Sequence, residues 1–187
     1  MKISQLVEFR NDLLFTGAVQ VSWLEEDHAK AKEAVTHFVF HGPSYHGFDP
    51  QEIAEKRIAD TATLTREVLA GLNGKEDSFL MAIAGYGSGK SHYALTLSYL
   101  LSKPNSHEAK TILENLKRAD SEIAIECINY LEYTNRPYLV VALNGMRDFD
   151  LSNEIARQVI RSVEAEGLNT EPLETLRPRF KHAETFV

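Results

Sequence analysis

Residues 84–91, Ala-Gly-Tyr-Gly-Ser-Gly-Lys-Ser, bring together three glycines, one cation and one hydroxyl at each end of the loop's second half, a set that suits the chemistry of a polyphosphate. The order is that of the Walker A loop: Ala or Gly, four residues, then Gly-Lys and a Ser or Thr. Gly85, Gly87 and Gly89 let the main chain approach an anion, so that consecutive amides, including those of Tyr86 and Ser88, converge on it. Lys90 is placed to reach the β- and γ-phosphates as a point charge and is the candidate catalytic residue. The Ser91 hydroxyl is the candidate Mg²⁺ ligand, a hard oxygen donor for a hard cation. His92 follows directly, and its side chain can face either the phosphates or the sheet. ATP and Mg²⁺ are the expected cofactors.

The flanks suit such a loop. Residues 78–84, Ser-Phe-Leu-Met-Ala-Ile-Ala, form an apolar run of strand length, as in a strand buried on both faces of a parallel sheet. Downstream, Tyr93, Leu95, Leu97, Leu100 and Leu101 mark a helix that must stop before Pro104. The plainer alternative is a glycine-rich turn that merely joins a strand to a helix.

The chain has 187 residues, enough for one domain of ordinary size with a hydrophobic core, or one domain and an appendage. Apolar and charged contents of 43% and 25% are those of a soluble globular protein, and no apolar run is long enough to span a bilayer. Charges interrupt the first ten residues before any signal-peptide core develops, so a cytoplasmic location without membrane partners is expected. The lone cysteine, Cys127, excludes an internal disulfide and reads as a small apolar residue on an amphipathic helix. A net charge of −7 argues against a broad electrostatic grip on DNA or RNA.

Residues 25–40 predict a helix beginning near Asp27. Residues 42–50, with two glycines and two prolines, are the clearest loop. A helix over about 51–72 follows, with Ile53, Ile58, Leu64, Val68, Leu69 and Leu72 on its buried side and Gly71 and Gly74 at its end. Helices are predicted over 107–119 and 121–133, the latter presenting Ile123, Ile125, Ile128 and Leu131 to the core. The β-branched run at 137–143 predicts a second strand ending at Asn144-Gly145. A last helix, capped by Asp150 or Ser152, runs to Glu166 and ends at Gly167.

The expected fold class is therefore α/β: a P-loop NTPase-type parallel sheet, forming a partial core over 76–187, with a helical N-terminal extension over 1–75. A carboxylate at the end of a second apolar strand normally holds the Mg²⁺ shell in such proteins. The run at 137–143 ends in Asn144 instead. Either Asp148 or Asp150 supplies that group through a loop excursion, or it belongs to chain beyond this one, which would make the sequence an N-terminal piece truncated before its Walker B strand.

The run Gly85-Tyr-Gly-Ser-Gly-Lys-Ser-His92, preceded by some eighty largely helical residues with Phe48-Asp-Pro50, resembles the large P-loop ATPases of bacterial anti-phage and DNA-modification islands, such as those of BREX systems and of DNA phosphorothioate modification. The resemblance covers the loop closely and the rest in outline. It implies an ATP-driven module of a defence complex, acting with partner proteins on complex assembly or on DNA. The alternative is a scaffold in which nucleotide is a switch or a vestige and no hydrolysis occurs.

Other candidates have plainer readings. His37, His41 and His46 invite a metal, but no acidic partner has ligand spacing, and surface or core histidines explain them better. Tyr45, His46 and Phe48 could wall an adenine or simply anchor their loop. Trp23 reads as a core or interface anchor, and Glu25-Glu-Asp27 as a solvated helix start.

Overall fold

The computed structural model describes residues 18–45, 47, 49, 51–52, 60–75, 81, 83, 85, 87–134, 137–143 and 151–173. Among them the regular structure is entirely helical: α1 (Trp23–Glu26), α2 (His28–Thr36), α3 (Thr61–Leu72), α4 (Lys90–Ser102), α5 (His107–Ala119), α6 (Ser121–Thr134) and α7 (Leu151–Ala165).

Local chemistry sets these boundaries. Side-chain oxygens cap four helix starts: Asp27 accepts from Lys30 N (3.1 Å), Asp60 from Thr63 N (2.8 Å), Ser106 from Ala109 N (3.0 Å) and Asp120 from Ile123 N (2.9 Å). Each such cap contributes about 0.5–2 kcal/mol. Glycines with left-handed backbone close two helix ends. After α3, Gly74 N donates to Gly71 O and Lys75 N to Ala70 O; after α7, Gly167 N donates to Glu164 O and Leu168 N to Val163 O. Both pairs are the double bond that takes up a helix's last carbonyls when a glycine can turn left-handed.

Helices α1 to α6 share one apolar cluster, with residues from both sides of position 75. Ala31, Ala34 and Val35 of α2 meet Leu95, Tyr99 and Leu100 of α4, Ile112 and Leu116 of α5, and Ala124 and Cys127 of α6. Helix α4 packs against α1, α2 and α5, while α6 packs against α3 and α5. No helix among the described residues is long and apolar enough to cross a membrane.

The parallel sheet expected from the sequence is corrected here, because no strand occurs among the described residues. Of the segment 78–84, Met81 and Ile83 are described; both lie outside any strand and are 69% and 88% exposed, whereas a strand buried on both faces would hide them. The run at 137–143 is described in full and is in no ladder. Its backbone groups bond to helices instead: Tyr138 N donates to Leu101 O at the end of α4 (2.9 Å), and Ser162 Oγ of α7 donates to Val140 O (3.1 Å). β-Branched residues favour a pleated, half-buried surface only where a neighbouring strand provides one.

Smaller corrections have equally local causes. Helix α3 starts afresh at Asp60, whose extended backbone (φ −81°, ψ 164°) and capping carboxylate break the single helix expected over 51–72; Ile53 and Ile58 lie outside the described residues. Helix α2 stops at Thr36 because Thr36 Oγ1 and His37 Nδ1 both donate to Glu33 O. Beyond it, buried Phe38 and Phe40 alternate with exposed Val39, as extended backbone requires. Leu72 and Ile125 face solvent, the first at a helix end and the second off the stripe formed by Ile123, Ala124 and Cys127.

Two measurements test this packing. A Cβ on Gly42 would sit 2.6 Å from the Ala119 carbonyl oxygen, a backbone atom that cannot swing aside. Gly42→Ala should therefore lower unfolding free energy by about 1–3 kcal/mol in urea titrations. Burial pushes the Cys127 thiol up to about 12, so little thiolate exists at pH 8. Disulfide-exchange reagents should label the folded protein about a hundredfold more slowly than the protein in urea.

Candidate phosphate-binding loop

Helix α4 starts differently from α2, α3, α5 and α6, each of which brings its own side-chain oxygen to its first turn. Its cap is Gly89, in left-handed backbone (φ 84°, ψ 10°), which supplies no side-chain acceptor, and no acidic residue occupies the first turn. The first bond of the helix runs from Tyr93 N to Gly89 O (2.9 Å). The amides of Lys90, Ser91 and His92 precede that bond and have no carbonyl within the helix to receive them. They form the positive end of a 13-residue helix.

The loop before this turn is open. Gly87 also has left-handed backbone (φ 75°), and a Cβ built on Gly85, Gly87 or Gly89 meets no other atom within 4 Å. Glycine at 87 and 89 answers a backbone demand, while at 85 it leaves space unfilled. Gly85, Gly87, Ser88, Gly89, Lys90 and Ser91 are all exposed; Ala84 and Tyr86 lie outside the described residues. Lys90 folds back over the loop, its Nζ donating to Gly85 O at 2.6 Å and to Ser88 Oγ at 3.3 Å. The ammonium thus sits on the loop's own neutral dipoles, spanning the five residues that a phosphate would be wrapped by. Ser91 stands on the exposed side of the same turn.

His92 turns the other way. Its Nε2 is 2.7 Å from Ala34 O, and its ring meets Phe38 edge-on at 5.0 Å and 85°. The sheet expected as its alternative to the phosphates does not occur among the described residues, and the ring packs on α2 and Phe38 instead. No residue pattern points to its partner, since the acceptor is a main-chain carbonyl 58 positions away.

The other candidates are placed as follows. Tyr45 is exposed and stacks on His41 (centroids 3.6 Å apart, 21° between planes), while His46 and Phe48 lie outside the described residues. His37 Nδ1 is held by Glu33 O at 2.7 Å. No group of three or more His, Cys, Asp or Glu side chains disposed to hold a metal occurs among the described residues. Asp148 and Asp150 lie outside them. Trp23 is buried, and Glu25, read as a solvated residue, accepts from Ser162 Oγ at 3.1 Å.

A cleft of about 100 Å³ lies elsewhere, lined in part by Glu25, His28, Lys103, Tyr138 and Glu166. Lys103 places it at the far end of α4 from the loop, roughly 20 Å away for a helix of this length. Its volume is well below the roughly 300 Å³ at which ligand pockets begin, so it does not hold a nucleotide.

Comparison with protein-family models, with curated proteins and with solved structures finds no match to this chain.

Substitutions in the loop separate backbone strain from open space. Gly89→Ala places a Cβ on left-handed backbone and should cost about 1–2 kcal/mol of stability. Gly85→Ala meets neither strain nor neighbour and should stay within about 0.5 kcal/mol of the parent in the same denaturation experiment.

Proposed function

We propose that the chain is a nucleotide-binding module, taking Mg-ATP at residues 85–91 as part of an ATPase of a bacterial defence complex. The observation that carries this reading is Lys90 Nζ lying over a loop of left-handed glycines at an uncapped helix start. In the bound state Lys90 exchanges the Gly85 carbonyl for the β- and γ-phosphates. The phosphates add charge–charge attraction that a carbonyl lacks: two unit charges about 4 Å apart near a protein surface interact by about 4 kcal/mol. The amides of Gly87 to Ser91 line the loop around the phosphates, and Ser91 Oγ ligates Mg²⁺, which keeps the rest of its shell as water. The resemblance of the loop to those of anti-phage and DNA-modification ATPases supports the cellular setting, with partner proteins and DNA as candidates for what the nucleotide acts on.

The unpaired segment at 137–143 favours a second reading, a module that binds nucleotide as a switch without hydrolysing it. A strand end is where these enzymes carry the carboxylate that orients water, and the described residues offer no such strand.

Thermal unfolding with and without Mg-ATP tests binding. A ligand at 100 times its Kd stabilises the folded state by about 2.7 kcal/mol, or about 5–10 °C for a chain of this size. The parent should show that shift and Lys90→Ala should not. Equal shifts in both proteins, or none in either, would refute the site. Phosphate release by the parent then separates the two readings: sustained turnover supports the ATPase, and binding without turnover supports the switch.

A further inference from the structure

We propose that His92 is the positioning residue of the loop, its bond to the Ala34 carbonyl fixing the rotation of the first turn of α4 and so the aim of the amides that meet phosphate. The inference rests on the reading of residues 85–91 as a phosphate site.

A carbonyl oxygen only accepts, so at 2.7 Å from Ala34 O the Nε2 of His92 must carry a proton and donate it. Its neighbour on the helix is tethered in a second direction: Tyr93 Oη lies 3.2 Å from Thr65 Oγ1 of α3. Successive helical residues point about 100° apart. One tether to α2 and another to α3 at that angle hold both the tilt of α4 and its rotation about its own axis. Phe38 serves both, meeting the His92 ring edge-on at 5.0 Å and the Tyr93 ring at 5.8 Å.

The anchor for His92 is itself held. Asn115 Nδ2 of α5 donates to Thr36 O (2.9 Å) and Phe38 O (3.2 Å), clamping the chain just beyond Ala34. Lys90 and Ser91 occupy the two positions before His92, so a rotation of this turn swings the ammonium, the hydroxyl and three amides together. A shift of about 1 Å in such donors is enough to impair a site. Imidazole suits the role because it offers a short, rigid donor and a ring edge at once.

The test compares Mg-ATP affinity by calorimetry in the full chain and in His92→Phe, which keeps a ring against Phe38 but cannot donate, and His92→Gln, which can donate to Ala34 O. The expected result is an affinity about tenfold weaker in the Phe variant, recovered in large part by Gln. A residue that serves packing alone would lower the unfolding temperature of the free protein and leave the affinity within about twofold of the parent, which overturns the proposal. Should the Phe variant not fold, ¹⁵N spectra of the parent decide: the His92 Nε2–H resonance should shift on saturation with Mg-ATP, and an unmoved resonance overturns the role. Absence of binding in the parent itself removes the phosphate site and the positioning role together, whereas binding in the parent with an unaffected Phe variant removes the positioning role alone.

Discussion

The carbonyl end of α2 is the point on which the packing turns. A helix terminating inside a protein leaves its last carbonyls without intrahelical donors, and a buried carbonyl left unpaired costs about 1–3 kcal/mol. Here the carbonyls of Thr36 and Phe38 receive Asn115 of α5, and that of Ala34, which already accepts from His37 N (3.1 Å), takes His92 of α4 as a second donor. Helix α2 is therefore held to both by bonds with direction as well as by apolar contact. Apolar packing alone tolerates sliding; a bond of 2.7 Å to a particular oxygen does not. Phe38 and Phe40, edge-on to each other at 4.8 Å, fill the space just beyond. They can do so only because α2 ends at Thr36 and frees them from helical spacing.

The same accounting explains why the start of α4 is chemically different from its neighbours. Four helices satisfy their first amides with Asp27, Asp60, Ser106 and Asp120, so their positive ends are largely quenched from within. Helix α4 substitutes a glycine whose value is conformational: it turns the chain left-handed and brings no side-chain acceptor to the exposed first turn. That arrangement forgoes the stability of a cap, about 1 kcal/mol, and is sustainable because the body of the helix is deeply packed in the core. Leu95, Thr96, Tyr99 and Leu100 are each no more than 2% exposed. A helix anchored along its length can start without a side-chain cap and not fray.

Much of the helical layout was legible in the sequence, and the reason is that local signals fixed it. The proline at 104 marked the end of α4, Asp27 the start of α2, and Gly74 and Gly167 closed α3 and α7, each acting over four residues or fewer. The helix starting at Lys90 after two left-handed glycines, Gly87 and Gly89, was legible for the same reason. What could not be read were relations between distant segments. The run at 137–143 has the composition of a strand, yet composition names no pairing partner, and the end of α4 and the Ser162 hydroxyl took its backbone groups instead. The direction of His92 depended on a backbone oxygen in α2, which no side-chain pattern announces. Asp60 was overlooked because an apolar helical period on either side of it masked a cap in the middle.

An exposed loop on a chain of net charge −7 must draw its attraction for an anion from nearby groups, since the field of the whole molecule opposes it. Salt screens that opposing field within about 8–10 Å, so the charges that count are those of the first turn itself. Lys90 is there, with the helix end behind it and no acid in the turn to offset it. The internal bond from Lys90 to Gly85 O gives this arrangement its second property: the loop's own carbonyl holds the ammonium in place before any ligand arrives, so less side-chain freedom remains to be lost on binding. Long lysine side chains carry up to about 2 kcal/mol of such freedom. On the reading proposed above, the loop offers a cation already in position in place of an enclosed pocket, and its recognition would be directed to the phosphate end of a nucleotide.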